Sequence, residues 1–151
     1  MPPVPRVQGV FLLEVQMRFV TLTQDFYTKY SGCKEILSKE SRPYAMLQFE
    51  VDGIKFGIPI RHHISHPFAF LTIGDRGLDF TKAIVIEKEE YISNSNAIID
   101  TAEWKIISRN ESKIHYEFKK YLNQYKRALK HKDNPRSEIF IRFSALQYFS
   151  F

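Results

Sequence analysis

Two β-rich runs, Tyr44 to Val51 and Ile54 to Ile60, are separated only by Asp52-Gly53. That dipeptide tolerates the positive φ angles of a two-residue turn, so the spacing predicts an antiparallel hairpin. The second strand ends at Pro59-Ile60 and delivers Arg61, His62, His63, Ser65 and His66 directly after it. Any fold built on this hairpin therefore presents a concentrated polar cluster at one strand end.

The remaining periodicities place other elements around the hairpin. Met17 to Thr23 alternates like a strand, and Thr23 is positioned to cap a short helix over Gln24 to Tyr30, broken at Gly32. Phe68 to Ile73 reads as a strand, Gly74 to Gly77 as a turn and Lys82 to Ile86 as a further strand. Beyond Ile99 the period changes. Ser108 with Glu111 matches a capping box, and Ile114, Phe118, Leu122, Tyr125 and Leu129 recur at helical spacing as a core stripe. Pro135 is expected to end that helix, Glu138 to Phe143 reads as a last strand, and Ser144 to Gln147 repeats the capping pattern with almost no helix after it. Strands followed by a helix-rich half, without βαβ alternation, predict an α+β domain with a mainly antiparallel sheet.

At 151 residues, 44% hydrophobic, the chain is long enough and apolar enough for one compact domain. Residues 17–151 form the expected domain. Residues 1–16, with Pro2, Pro3 and Pro5, read either as an extension preceding an original start at Met17 or as a strand pairing at a sheet edge. Cys33 is the only cysteine, which excludes an intrachain disulfide and a multi-cysteine zinc cluster and suits a reducing cytosol. No apolar run approaches a membrane span, so a cytoplasmic protein with no membrane partner is expected.

The net charge of +5 is unevenly spread. Residues 105–136 hold ten Lys or Arg against three acids, a local +7 that leaves −2 for the rest. Such asymmetry suits a surface that faces phosphates, with Lys119, Lys120, Lys126 and Arg127 on the exposed side of the helix. The competing reading is a solvated helix face.

Three of the five histidines lie in the cluster after the hairpin, and imidazole both gives and takes protons near neutrality. A metal site at His62, His63 and His66 is disfavoured: Pro59 and Pro67 leave little room for a helix, no HExxH glutamate is present, and no cysteine lies nearby. Ser65 lacks the glycine-flanked elbow of a hydrolase nucleophile, and no phosphate-cradling glycine loop occurs. Cleavage of RNA by its own 2′-hydroxyl needs a base, an acid and a cation for phosphorane charge, with no metal or other cofactor. Arg61 and the histidines suit those roles, while Tyr27, Tyr30, Tyr44 and Phe68 are candidate stacking platforms for unpaired bases.

The order Met17 to Thr23, Phe26-Tyr27, a hairpin strand after Arg42-Pro43-Tyr44, Phe56 to Ile64 (FGIPIRHHI), Gly77 to Lys82 (GLDFTK), and Tyr121 with Tyr125-Lys126 resembles the ToxN/AbiQ/TenpN toxins of type III toxin-antitoxin systems. The resemblance covers nearly all of residues 17–151 and is closest to the TenpN-like branch. It implies a metal-independent endoribonuclease with a twisted antiparallel sheet flanked by helices. It also implies inhibition by a pseudoknotted repeat RNA that the enzyme processes, in a closed protein–RNA assembly. The family pattern leads one to expect a terminal helix continuing past Phe151 and offers no counterpart for residues 1–16. Where the ToxN branch has Thr-Ser and then a lysine two residues later, this chain has Arg61-His62 and then Ile64, so that catalytic set does not transfer.

The expected catalytic residues are His62 or His63 as acid or base, Arg61 and Lys82 against phosphorane charge, and His66 and Ser65 in support. The expected RNA-binding residues are Arg42, Tyr44, Thr81, Lys119, Lys120, Lys126 and Arg127. A non-catalytic RNA-binding module is the alternative, and a DNA-binding regulator is disfavoured by the missing helix-turn-helix pattern.

Overall fold

The computed structural model describes residues 17–37, 45–93 and 97–151. Residues 1–16, Arg42 and Tyr44 lie outside the described residues. Six strands form one antiparallel sheet: β1 (Arg18–Val20), β2 (Met46–Val51), β3 (Ile54–Arg61), β4 (Ala69–Leu71), β5 (Gly77–Asp79) and β6 (Ile84–Val85). Their order is β1-β2-β3-β5-β4, with β6 also pairing with β3. Four helices, α1 (Gln24–Lys29), α2 (Thr101–Ser108), α3 (Glu111–Lys130) and α4 (Pro135–Arg142), complete an α+β domain.

The hairpin forms as the sequence predicts. Asp52 and Gly53 take φ angles of 52° and 82°, the left-handed pair that matches the twist of the flanking strands. The register runs from Val51 opposite Ile54 to Met46 opposite Pro59. Pro59 sits inside the longest strand without breaking it. The Ile60 amide donates to the Ala45 carbonyl oxygen, so the Pro59 nitrogen faces the opposite edge of β3. On that edge β6 pairs with Phe56 and Gly57 and β5 pairs with Ile60 and Arg61, leaving a gap where a missing donor is harmless.

The strand β5 begins at Gly77, where a Cβ would lie 2.1 Å from the Phe70 carbonyl oxygen. Only glycine admits so close an approach by β4. Helix α3 lays Ile114, Phe118, Tyr121, Leu122 and Tyr125 over the sheet, and the Phe118 ring centre lies 5.1 Å from Phe56, 5.4 Å from Phe80 and 5.5 Å from Phe49. Burying each such side chain stabilises the fold by about 1.5–3 kcal/mol. At the sheet's other end α1 is capped as expected, its Phe26 amide donating to Thr23 Oγ1, and Phe26 packs against Tyr30 and Tyr91.

Several expectations are corrected. Ser108 does not cap α3. It ends α2, and its hydroxyl donates to the Lys105 carbonyl oxygen, the local bond by which serine competes with capping. Asn110 occupies the N-cap of α3 without a side-chain cap bond, its amide donating back to the Ile106 carbonyl oxygen. The strand expected over Glu138 to Phe143 is helix α4. Asn134 Oδ1 accepts from the Arg136 amide, and Pro135 occupies the first helical turn, so proline begins a helix here as well as following one. Leu129 is 39% exposed, and Ala128 takes the buried position instead. The strand expected from Lys82 shortens to Ile84–Val85 because Phe80–Lys82 forms a 3-10 turn. Tyr27 and Tyr30 are buried in the core and are not available as stacking platforms.

Candidate active site

Asp79 ends β5, and its carboxylate is fully buried. Burial of a charge is tolerated only where donors surround it, and three hydrogen bonds reach it, with an imidazole nitrogen close by. Oδ1 accepts from the Thr81 amide (3.0 Å) and the Thr81 hydroxyl (2.6 Å), the first of which caps the 3-10 turn Phe80–Lys82. Oδ2 accepts from Arg61 Nη1 at 2.7 Å. His66 Nε2 lies 3.1 Å from Oδ1, within reach of the charge but not aligned as a hydrogen bond. The register explains the meeting: Arg61 closes β3 opposite Gly77, two residues before Asp79 on the neighbouring strand.

His66 is held by one hydrogen bond, its Nδ1 accepting the Phe68 amide at 3.1 Å, while Nε2 is shut away from solvent beside Asp79. The imidazole thus positions the turn rather than offering a free nitrogen. Lys82, at the end of the 3-10 turn, is ion-paired with Glu35, and both side chains are only 15% exposed. The Glu35 amide in turn donates to the Tyr148 hydroxyl.

Arg61, His66, Thr81, Lys82 and Glu35 line one cavity of about 580 Å3. Its other wall is aromatic and aliphatic: Phe68, Tyr121, and Ile139, Phe140 and Phe143 from the α4 region. Tyr121 donates to Ser144 Oγ at 2.8 Å, and burial raises its pKa well above the ordinary phenol value, so it stays protonated and serves as no base. The two ion pairs leave little net charge, but Arg61 commits one guanidinium nitrogen to Asp79 and retains further N–H donors for an anion.

The expected residues are therefore divided. Arg61, His66, Thr81 and Lys82 share the cavity. His62, His63 and Ser65 are exposed on the turn that follows β3 and do not line it. His63 adopts a left-handed φ of 59° and its Nδ1 lies 3.3 Å from Asp75 Oδ2. Lys119, Lys120, Lys126 and Arg127 are exposed on α3. Lys119 approaches Asp52 in the hairpin turn at 3.9 Å. Ile54, beside that turn, and Arg61 are the two ends of β3, about 23 Å apart at strand spacing, so this end of the basic face stands well away from the cavity.

Sequence reasoning left Asp79, Glu35 and Phe143 out of the site. Asp79-Phe80-Thr81 carries the spacing of a side-chain cap, a readable signal. Glu35 carries none, since its partner Lys82 is 47 residues away. Among the described residues no group of three or more His, Cys, Asp or Glu is placed to hold a metal ion, and no helix is long and apolar enough to cross a membrane. Against family models, curated proteins and solved structures, the chain finds no match.

Proposed function

We propose that the chain is the toxin of a type III toxin-antitoxin system, a cytoplasmic endoribonuclease that cuts RNA by 2′-hydroxyl attack without a metal. The observation that carries this reading is the convergence of Arg61, Thr81 and Lys82 on one cavity, beside a turn bearing His62 and His63. In the proposed step the 2′-oxygen attacks phosphorus while its proton passes to one histidine. The bond from phosphorus to the 5′-oxygen breaks, and that oxygen takes a proton from the second acid. Arg61 and Lys82 offset the charge on the phosphorane. Asp79 and His66 position Arg61 and the turn, with Ser65 in support. The partner in this reading is a repeat RNA that covers both the cavity and the α3 basic face in a closed assembly, without a second protein.

A second reading, a non-catalytic RNA-binding module, is favoured by one observation: both His66 nitrogens face the protein, and His62 and His63 do not line the cavity. Incubating purified protein with a mixed RNA pool in EDTA separates the two. Fragments with 2′,3′-cyclic phosphate and 5′-hydroxyl ends support the enzyme, whereas retention without fragments supports the module.

A further inference from the structure

Helix α4 has no buried residue, yet Ile139 is 49% and Phe143 53% exposed, and both face the cavity. The two are one helical turn apart, with Phe140 beside them, so they form a continuous apolar wall. The Arg142 guanidinium lies 5.8 Å from the Phe143 ring centre, and the Ile139 and Phe143 side chains both stay about half exposed. Phe68 and Phe140 extend the wall inward, their ring centres 5.1 Å apart in an edge-to-face contact. The polar lining includes Arg61, which keeps N–H donors beyond its bond to Asp79, and Lys82, whose ammonium is shared with the Glu35 carboxylate. An occupant that satisfies both sides has a flat apolar face and an anionic group.

We propose that this cavity is a binding site for a single unpaired nucleotide, its base stacked on the Phe143 side of the wall and its phosphate at Arg61 and Lys82. The inference deepens the RNA reading above and rests on it for the identity of the polymer. At about 580 Å3 the cavity falls within the roughly 300–1,000 Å3 range of small-ligand sites. It holds one nucleotide and excludes a duplex, so a strand must expose an unpaired base to reach Arg61. Phe143 is then a specificity-determining residue that selects single-stranded RNA through stacking, a contact every base can make.

The test uses the full chain and three probes in ligand-observed NMR titrations: adenosine 3′-monophosphate, ribose 5-phosphate, and decanoate as an apolar anion without a base. The nucleotide should bind at least tenfold more tightly than either of the others. Phe143→Ala should weaken nucleotide binding by roughly 5- to 150-fold, the range for loss of one base–aromatic contact, and leave ribose 5-phosphate unchanged. Phe143→Tyr, which keeps the ring, should restore the affinity. Equal affinity for ribose 5-phosphate, tighter binding of decanoate, or an unaltered nucleotide affinity in a folded Phe143→Ala protein would each overturn the proposal. RNA cleavage is assayed on the same preparations. Cleavage without nucleotide binding would remove the base site and leave the enzyme reading standing. Nucleotide binding with the Phe143 effect, without cleavage, would support the site and remove the enzyme reading.

Discussion

Arg61 Nη1 stands 2.7 Å from Asp79 Oδ2, so an exposed-edge cation is anchored to a carboxylate with no solvent contact at all. The anchor is cooperative with the fold, because the same carboxylate caps the turn that carries Lys82. Replacing Asp79 by Asn removes the charge and leaves the Arg61 and Thr81 donors poorly matched. Arg61 is one-third exposed and regains some solvation, so a loss of about 2–3 kcal/mol is expected, at the lower end for a broken buried pair. Urea unfolding should show a lowered midpoint with an unchanged slope; an unshifted midpoint would mean that the pair contributes nothing net.

His115 gives the fold a dependence on pH. Its ring packs against Phe49, and burial, aided by the nearby Lys119 charge, lowers its pKa below the ordinary 6.5 against smaller opposing effects of the Glu50 backbone and Asp52. The unfolded chain therefore binds a proton at His115 more readily than the folded one does. Stability from this group is present above pH 6.5 and declines as pH falls from there toward the folded value. Unfolding midpoints measured at pH 7.5 and 5 should differ by less in His115→Gln than in the native protein. Equal pH sensitivity in both would assign the dependence elsewhere.

The fold was legible where the chemistry is local. Asp52-Gly53 fixes the hairpin through its own backbone freedom, and Thr23 caps α1 through a bond three residues long. Helix α4 was misread because Ile139, Phe140, Ile141 and Phe143 fit both a strand and a short helix, and the deciding Asn134 cap lies before the proline that looked like a stop. The site was legible only in part. Arg61 and Lys82 stand out as cations beside apolar strands, whereas Glu35 and Phe143 reach the cavity through long-range packing that no local pattern encodes.

If the α3 basic face grips RNA, replacing Lys119, Lys120, Lys126 and Arg127 together by Ala should weaken binding and reduce the slope of log affinity against log salt, since each neutralised phosphate contributes roughly 0.7 for a single strand. All four side chains are exposed, so the variant should remain folded. An unchanged slope would identify this surface as a solvated helix face.

On the enzyme reading, His62→Ala should slow RNA cleavage by about 100-fold or more, as expected for loss of a proton-transferring group. His63 has its own test in His63→Gly, which relieves the left-handed backbone at φ 59°. Stability should rise while cleavage falls if that imidazole is the second proton carrier. An increase in stability with undiminished cleavage would leave His63 outside the chemistry.

Cleavage by the native chain alongside Lys82→Ala, in EDTA, with mapping of the ends, tests most directly whether the cavity at Arg61 and Lys82 cuts RNA. The native protein should yield 2′,3′-cyclic phosphate and 5′-hydroxyl termini, and the folded variant should lose at least 100-fold in rate at saturating RNA. Intact RNA with the native protein, or equal cleavage by the two proteins, would contradict it.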